Sequence, residues 1–197
     1  MTQFRKLAER EVFRGTLISV GVATFAGPSG ASFERDVVHH PGAVVVVPLL
    51  DDGTVILVRQ YRAGVEGVLL EIPAGKRDVD GEPVEVTARR ELEEEVGMRA
   101  GRLDKLAEFY NSPGFCEEFS FLFLARDLQA CAVSAQGEEE EHMTVERVAL
   151  DDVPGLVASG ELVDAKSIIG LTLTSAFLAR SGSDTDPERA KNGGGSP

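Results

Sequence analysis

Segment 82–97 constrains the fold most, because it carries the signals of a helix with one buried face. Pro83 suits the first turn of a helix, where its missing N–H needs no partner, and Gly97 is a natural C-cap. Apolar side chains recur at every fourth position between them, at Val84, Ala88, Leu92 and Val96. This spacing predicts a helix that packs one stripe against another layer of structure.

Strand patterns lie on both sides of this helix. A β-branched run over 43–50, the turn "DDG" and a second run over 54–61 predict a buried β-hairpin. Further strands are predicted at "GVLLEIPAG", "RLDKLAEFYNS", "EEFSFLFLARDL" and "MTVERVALD", and a small N-terminal strand pair at "REVFRGTLISVGVATFA". Two C-terminal helices are predicted at "DDVPGLVASG" and "DAKSIIGLTLTSAFLAR", the second with Asp164 as its N-cap. The mixture predicts an α+β fold.

The chain of 197 residues is long enough for one domain with extensions. We expect a small β-extension over residues 1–39 and a single domain over residues 40–180. The last segment, 181–197, has no large apolar residue to offset the entropy cost of ordering it. A disordered tail is therefore predicted there.

Composition narrows the class of protein. Hydrophobic residues make up 43% and no apolar run reaches the roughly 18 residues needed to cross a bilayer, so we expect no membrane association. The N-terminus lacks a secretory apolar stretch, and Cys116 and Cys131 form no disulfide framework or zinc motif, so a cytoplasmic protein with reduced thiols is expected. A formal charge of −13 opposes binding to nucleic acid. An anionic ligand needs a bridging cation or a local group of arginines.

The predicted helix also crowds carboxylates together in "ELEEE". Residues three and four apart share one helix face, so Glu91, Glu94 and Glu95 project together, with Arg90 beside them. Such like-charge pairs cost a few tenths of a kcal/mol each, a penalty that a divalent cation reverses. Carboxylate oxygens without nitrogen or sulfur partners favour Mg²⁺ or Mn²⁺ over zinc. The alternative is a solvated acidic face without a ligand.

The wider spacing resembles the Nudix box of the Nudix hydrolase family. Every residue type that this motif specifies is present: Gly75, Glu82, Arg90, Glu91, Leu92, Glu94, Glu95, Gly97 and Met98. One departure is the loop "KRDVDG", which places six residues rather than five between the first glycine and the first glutamate. The resemblance implies a mixed β-sheet sandwiched between helices. It also implies metal-dependent hydrolysis of a pyrophosphate linked to a nucleoside.

The resemblance assigns roles by position. Glu91 and Glu95 become the principal metal ligands, with Glu94 as an assisting ligand or acceptor and the carbonyl of Ala74 as a further ligand. Arg90 and Glu82 become an ion pair that orients the loop and the ligand carboxylates. Gly75, Glu82 and Gly97 serve the structure of the motif.

From residue 40 to residue 178 the chain is similar to the ADP-ribose pyrophosphatase branch of that family. Pro113 and Gly114 in "NSPGF" stand at the proline spacing of ADP-sugar hydrolases, fifteen positions after Met98, although a plain turn has the same pattern. Arg62 in "VRQYR" matches an arginine that binds substrate phosphates or ribose. Arg35 matches an N-terminal arginine that reaches the substrate of the partner subunit, since members of this branch are typically homodimers that exchange N-terminal strands.

The same branch has a mobile acidic loop where this chain reads "GEEEEHMTV". By spacing from Met143, Glu139 and Glu141 match a general base and a metal ligand, while Glu140 serves in another type of relative. The implied reaction is hydrolysis of ADP-ribose to AMP and ribose 5-phosphate with Mg²⁺ or Mn²⁺. Alternatives are another nucleotide sugar, an oxidised nucleotide, or a module that binds ADP-ribose without cleaving it.

Overall fold

A computed structural model describes residues 3–132 and 142–183. Its strands are β1 (Arg5–Arg14), β2 (Ser19–Ala26), β3 (Ser32–His39), β4 (Ala43–Pro48), β5 (Thr54–Arg62), β6 (Gly67–Glu71), β7 (Ala74–Lys76), β8 (Met98–Tyr110), β9 (Phe119–Ala130) and β10 (Thr144–Ala149). The α-helices in these ranges are α1 (Val84–Val96), α2 (Val153–Ser159) and α3 (Ala165–Ser183).

The central sheet has the order β7-β4-β9-β8. It is mixed, because β4 and β9 run parallel while the other neighbours run antiparallel. One apolar cluster lies between this sheet and α1, around Val44, Phe123 and Leu92, and a second lies on the side of α3, around Val45 and Leu171. The predicted mixed sheet between helices is confirmed.

The predicted hairpin of the two apolar runs is wrong in its pairing. Both strands form, but β4 belongs to the central sheet and β5 to a second sheet of order β10-β5-β6. A single isolated bridge between Leu49 and Val55 joins their ends. The reason is that every residue of β4 is buried, which is typical of a central strand whose two edges are both taken, here by β7 and β9.

The segment "GVLLEIPAG" forms two strands rather than the one predicted. Pro73 interrupts the run, and its missing N–H cannot continue a ladder. The first half, β6, pairs with β5, whereas the second half, β7, crosses to the central sheet beside β4. The Pro73 carbonyl then accepts a hydrogen bond from Val46 N–H at 2.9 Å, which fixes the crossing point.

The N-terminal extension is a three-stranded sheet of order β1-β2-β3, one strand more than the predicted pair. The polar pattern of "SFERDVVH" concealed β3. This strand also holds the loop after β8, since Val38 N–H donates to Phe115 O at 2.7 Å and Glu117 N–H donates to Val38 O at 3.1 Å. The N-terminal sheet is thereby joined to residues 112–118.

The helix predictions agree closely with the structure. Gly97 takes the left-handed conformation, with φ of 62°, and caps α1. Asp164 caps α3 by accepting a hydrogen bond from Ser167 N–H at 2.9 Å. Helix α3 continues through Ser183, three residues into the segment predicted as a tail, and the rest of that segment lies outside the described residues. Among the helices of the described ranges, none combines the length and apolarity that crossing a bilayer requires.

Candidate active site

The acidic face of α1 packs against β7. Glu91 and Glu95 are 8% and 5% exposed, which is rare for glutamates. Ala74 N–H donates to the carboxylate of Glu95 at 3.0 Å. A Cβ atom built on Gly75 would overlap the side chain of Glu91, so only glycine lets this carboxylate lie against the strand.

Arg90 gathers the remaining carboxylates of this face. Its Nη1 lies 2.8 Å from Glu91 Oε1 and 2.9 Å from Glu94 Oε2, and its Nη2 lies 3.5 Å from Glu82 Oε2. Burial lowers the pKa of Arg90, but the charges of Glu91 and Glu94 outweigh burial and raise the pKa above its ordinary value. Arg90 is therefore a fixed cation at the centre of the acidic helix.

Two further contacts order the loop before the helix. Glu82 accepts a hydrogen bond from the hydroxyl of Thr87 at 2.7 Å, and Asp78 lies 3.8 Å from Arg90 Nη2. Gly81 adopts a φ of 75°, and Glu82 N–H closes a turn on Val79 O at 3.2 Å. The loop "KRDVDG", with its additional residue, is thus a compact turn. Glu93 pairs instead with Arg99 at 3.0 Å, away from the other glutamates.

The donor set of this region fits a hard divalent cation, because its buried groups are carboxylate and carbonyl oxygens. Residues able to hold such a cation are Glu91, Glu94, Glu95 and the carbonyl of Ala74. Over residues 3–132 and 142–183, however, no three acidic, histidine or cysteine side chains are already gathered as a metal site. The carboxylates of Glu91 and Glu94 pair with Arg90, and the carboxylate of Glu95 accepts a hydrogen bond from Ala74 N–H.

A cleft of about 380 Å³ is lined by Ala74 and Gly75 of β7. Arg62 and Lys166 line it, together with Asn111 and Ser112 from the loop after β8. Arg62 makes a bidentate bond to Glu71, with Nε and Nη2 each 2.8 Å from a carboxylate oxygen. This bond raises the pKa of Arg62 above its ordinary value, so the guanidinium stays charged.

A second cavity of about 460 Å³ lies between the N-terminal sheet and the loop after β8. Five aromatic residues are among those that line it, and two of them, Phe25 and Phe33, stack with ring centroids 5.6 Å apart. Arg35 lies over the ring of Phe33 at 4.8 Å. Pro113 and Gly114 line this cavity too, whereas Arg62 lines the first, so the predicted substrate-binding residues divide between two cavities.

The sequence model of the NUDIX domain matches residues 39–168. The chain belongs to the NUDIX domain family.

Several known proteins align with this NUDIX protein over most of their own length. An ADP-ribose pyrophosphatase of Bacillus subtilis (strain 168) is 41% identical over 163 residues, which is 83% of this chain and 88% of the relative. A methanol dehydrogenase activator of Bacillus methanolicus is 32% identical over 85% of this chain and 90% of its own. The solved structure of an ADP compounds hydrolase is 27% identical, has a TM-score of 0.80, and covers 91% of this chain and 96% of that one.

Several predicted site residues of this NUDIX protein lie outside the described ranges, namely Glu139, Glu140 and Glu141. The structure also adds residues that sequence reasoning missed. Glu71, only 1% exposed, joins Arg62 to Lys166, and Lys166 Nζ lies 2.8 Å from Asp164. Asp164 was predicted only as a cap. The signal was present in the sequence, because a glutamate at the end of the apolar run "GVLLE" must be buried with partners.

Proposed function

We propose that this NUDIX protein hydrolyses the pyrophosphate of ADP-ribose to AMP and ribose 5-phosphate, using Mg²⁺ or Mn²⁺. One observation carries the proposal: the buried carboxylates of Glu91 and Glu95 contact Ala74 and Gly75, which line a cleft together with Arg62 and Lys166. Candidate oxygen ligands for a cation thus lie next to a cleft that is lined by cationic side chains for an anion. The B. subtilis relative named as an ADP-ribose pyrophosphatase supports this substrate.

We assign the metal and the phosphates of the substrate to different residues. Glu91, Glu95, Glu94 and the carbonyl of Ala74 would hold the metal, with Arg90 keeping these carboxylates in place. A bound divalent cation offsets phosphate charge and lowers the pKa of a bound water. Arg62 and Lys166 bind the phosphates from the cleft.

Proton transfer needs a further group, since Arg90 is held charged. Glu139 and Glu141 are our candidates for general base and metal ligand, and Glu140 is the alternative base. Replacing each of the three in turn by glutamine identifies the base as the variant whose activity no longer falls at low pH, since a base must be deprotonated to act.

The adenosine part of the substrate is assigned to the aromatic cavity. Phe25, Phe33 and Tyr110 line it with aromatic surface, in a chain without tryptophan, and Arg35 adds a positive charge. The loop carrying Pro113 and Gly114 lies between the two cavities, so one ligand reaching both would touch that loop.

We also propose a cytoplasmic homodimer formed through the N-terminal sheet. Every residue of β1 is exposed, including Leu7 at 47%, Val12 at 48% and Phe13 at 55%. An exposed strand with apolar side chains is a surface for pairing with another chain. The two free cysteines, Cys116 and Cys131, are typical of a reducing compartment.

Incubation of the purified protein with ADP-ribose and Mg²⁺, followed by chromatography, tests the proposed activity. AMP and ribose 5-phosphate are expected in equal amounts, and none in EDTA. A panel of other nucleotide sugars and oxidised nucleotides, ranked by kcat/KM, tests the substrate. Folded protein that turns over none of them with Mg²⁺ or Mn²⁺, yet binds ADP-ribose, would indicate a binding module instead.

A further inference from the structure

Glu71 is the most deeply buried carboxylate among the described residues, with 1% of its surface exposed. Burial raises the pKa of Glu71, but the hydrogen bonds from Arg62 and the charge of Lys166 outweigh burial and keep the pKa below its ordinary value. The side chain is therefore an ionised acceptor beneath the cleft, with a cation of the cleft on each side.

The strand register shows what Glu71 does to Arg62. Arg62 stands opposite Gly67, whereas Glu71 stands opposite Val58. The two residues are thus offset by four positions along the paired strands. Arg62 reaches back along the sheet to make its bidentate bond, which uses Nε and Nη2 and leaves the Nη1 donors outside it. Glu71 accepts both hydrogen bonds of this bidentate contact, while Glu95 and Asp164 act on Arg62 through their charge.

Lys166 arrives from a different element and meets the same carboxylate. It stands in the first turn of α3, where Asp164 Oδ1 accepts from its ammonium group at 2.8 Å, and it also pairs with Glu71. An ammonium group has three donors, so two partners set its direction and one donor remains. Glu71 therefore fixes the relative position of two cations that come from separate parts of the chain.

Stability alone does not account for this arrangement. Replacing a buried ion cluster by apolar side chains is often neutral or stabilising, because the desolvation of the charges is costly. The other buried glutamates of the described ranges, Glu91 and Glu95, belong to the family motif, but Glu71 does not. A buried carboxylate that is costly for the fold, and that orients two cations of the cleft, points to a role in binding.

We propose that Glu71 is a positioning residue that aligns Arg62 and Lys166 to bind the pyrophosphate of the substrate. The proposal rests on the function proposed above for its substrate. The role of Glu71 is nevertheless measurable with an anion alone, because it concerns binding rather than bond cleavage.

Glu71→Gln is the first test, since glutamine has the same shape but offers an N–H where Arg62 or Lys166 needs an acceptor. Pyrophosphate binding in EDTA, measured by calorimetry, is expected to weaken at least about fivefold, and KM for ADP-ribose with Mg²⁺ to rise about tenfold with little change in kcat. Glu71→Asp keeps the charge but shortens the side chain, and the same loss is expected if the glutamine variant does not fold.

Glu146→Gln is the matched control. This substitution removes the carboxylate that pairs with Arg59, a residue of β5 that does not line the cleft. The dissociation constant of pyrophosphate and the KM for ADP-ribose are expected to stay unchanged. A double-mutant cycle gives the sharper test. In an Arg62→Met, Lys166→Met background, Glu71→Gln is expected to cause no further loss of pyrophosphate affinity, because the groups through which it acts are gone.

Wild-type protein that fails to bind pyrophosphate, or binds it no better than Glu71→Gln, overturns the inference. The inference is also overturned if Glu71→Gln lowers pyrophosphate affinity as much in the Arg62→Met, Lys166→Met background as it does in the wild type. Protein that binds pyrophosphate as expected but leaves ADP-ribose intact overturns the proposed function and keeps the role of Glu71.

Discussion

Gly75→Ala separates the geometry of the candidate metal ligands from the stability of the fold. A methyl group at this position would overlap Cγ, Cδ and Oε1 of Glu91, far inside van der Waals contact. The φ of Gly75 is not in the left-handed region, so the backbone itself accepts alanine. The substitution therefore acts through space, on one carboxylate.

The structure allows two responses, and both have a cost. Either Glu91 swings away and loses its 2.8 Å contact with Arg90, or β7 and α1 move apart. Overpacking of this kind costs about 1–3 kcal/mol, which lowers the Tm of a domain of this size by about 2–12 °C. Because Glu91 leaves its position against Gly75 in the first response, metal affinity is expected to fall at least about tenfold.

The assay is a titration of the initial rate of ADP-ribose hydrolysis with Mg²⁺, beside thermal melts in EDTA. Gly75→Ala should need at least about ten times more Mg²⁺ for half its maximal rate. Gly64→Ala is the control, because a Cβ there meets no heavy atom within 4 Å. A Gly75→Ala protein with wild-type Mg²⁺ dependence and wild-type Tm would refute the assignment of Glu91.

Three more substitutions probe separate parts of the chain. Glu95→Gln is expected to lower kcat at least about 10²-fold in the hydrolysis assay, while the Tm in EDTA stays level or rises as like-charge repulsion is removed. Leu92→Ala truncates a fully buried side chain of α1 and should lower the free energy of unfolding by about 2–5 kcal/mol in chemical denaturation, with or without Mg²⁺. His39 is bonded to Glu9 and Glu117, which raise its pKa, so its contribution is complete below the unfolded pKa and is lost as pH rises through the folded pKa. The stability difference between wild type and His39→Gln should therefore shrink as the pH rises above the ordinary histidine pKa of about 6.5, and a constant difference would contradict this.

The sequence predicted those features that neighbouring residues decide. The stripe of Ala88, Leu92 and Val96, with Gly97 as the cap, lies within four turns of chain, and all of it is present in α1. The pairing of β4 is different, because its partner β9 begins more than seventy positions later in the chain. Nothing in the local pattern of an apolar strand distinguishes a hairpin partner from a parallel one across the domain.

The residues of the candidate site also differ in whether neighbouring or distant parts of the chain decide their positions. The motif assigned roles to Glu91, Glu95 and Gly75 from their spacing, and the structure places all three where α1 packs against β7. The contact between Glu71 and Lys166 joins residues 95 positions apart, and no spacing rule covers it. What the sequence did contain was a carboxylate in an apolar run, a local conflict that only a distant cation resolves.

The charges around the site explain why the positions of its cationic side chains matter. With a net charge of −13, the protein as a whole repels an anionic substrate. In the cleft, the positive charges of Arg62 and Lys166 are balanced by Glu71 and Asp164, so these four side chains carry no net charge. Arg90, likewise, is outnumbered by the glutamates around it. Arg62 and Lys166 therefore bind pyrophosphate through directed hydrogen bonds, which they offer only while buried carboxylates hold them in place, and a divalent cation adds the net positive charge that strengthens this binding.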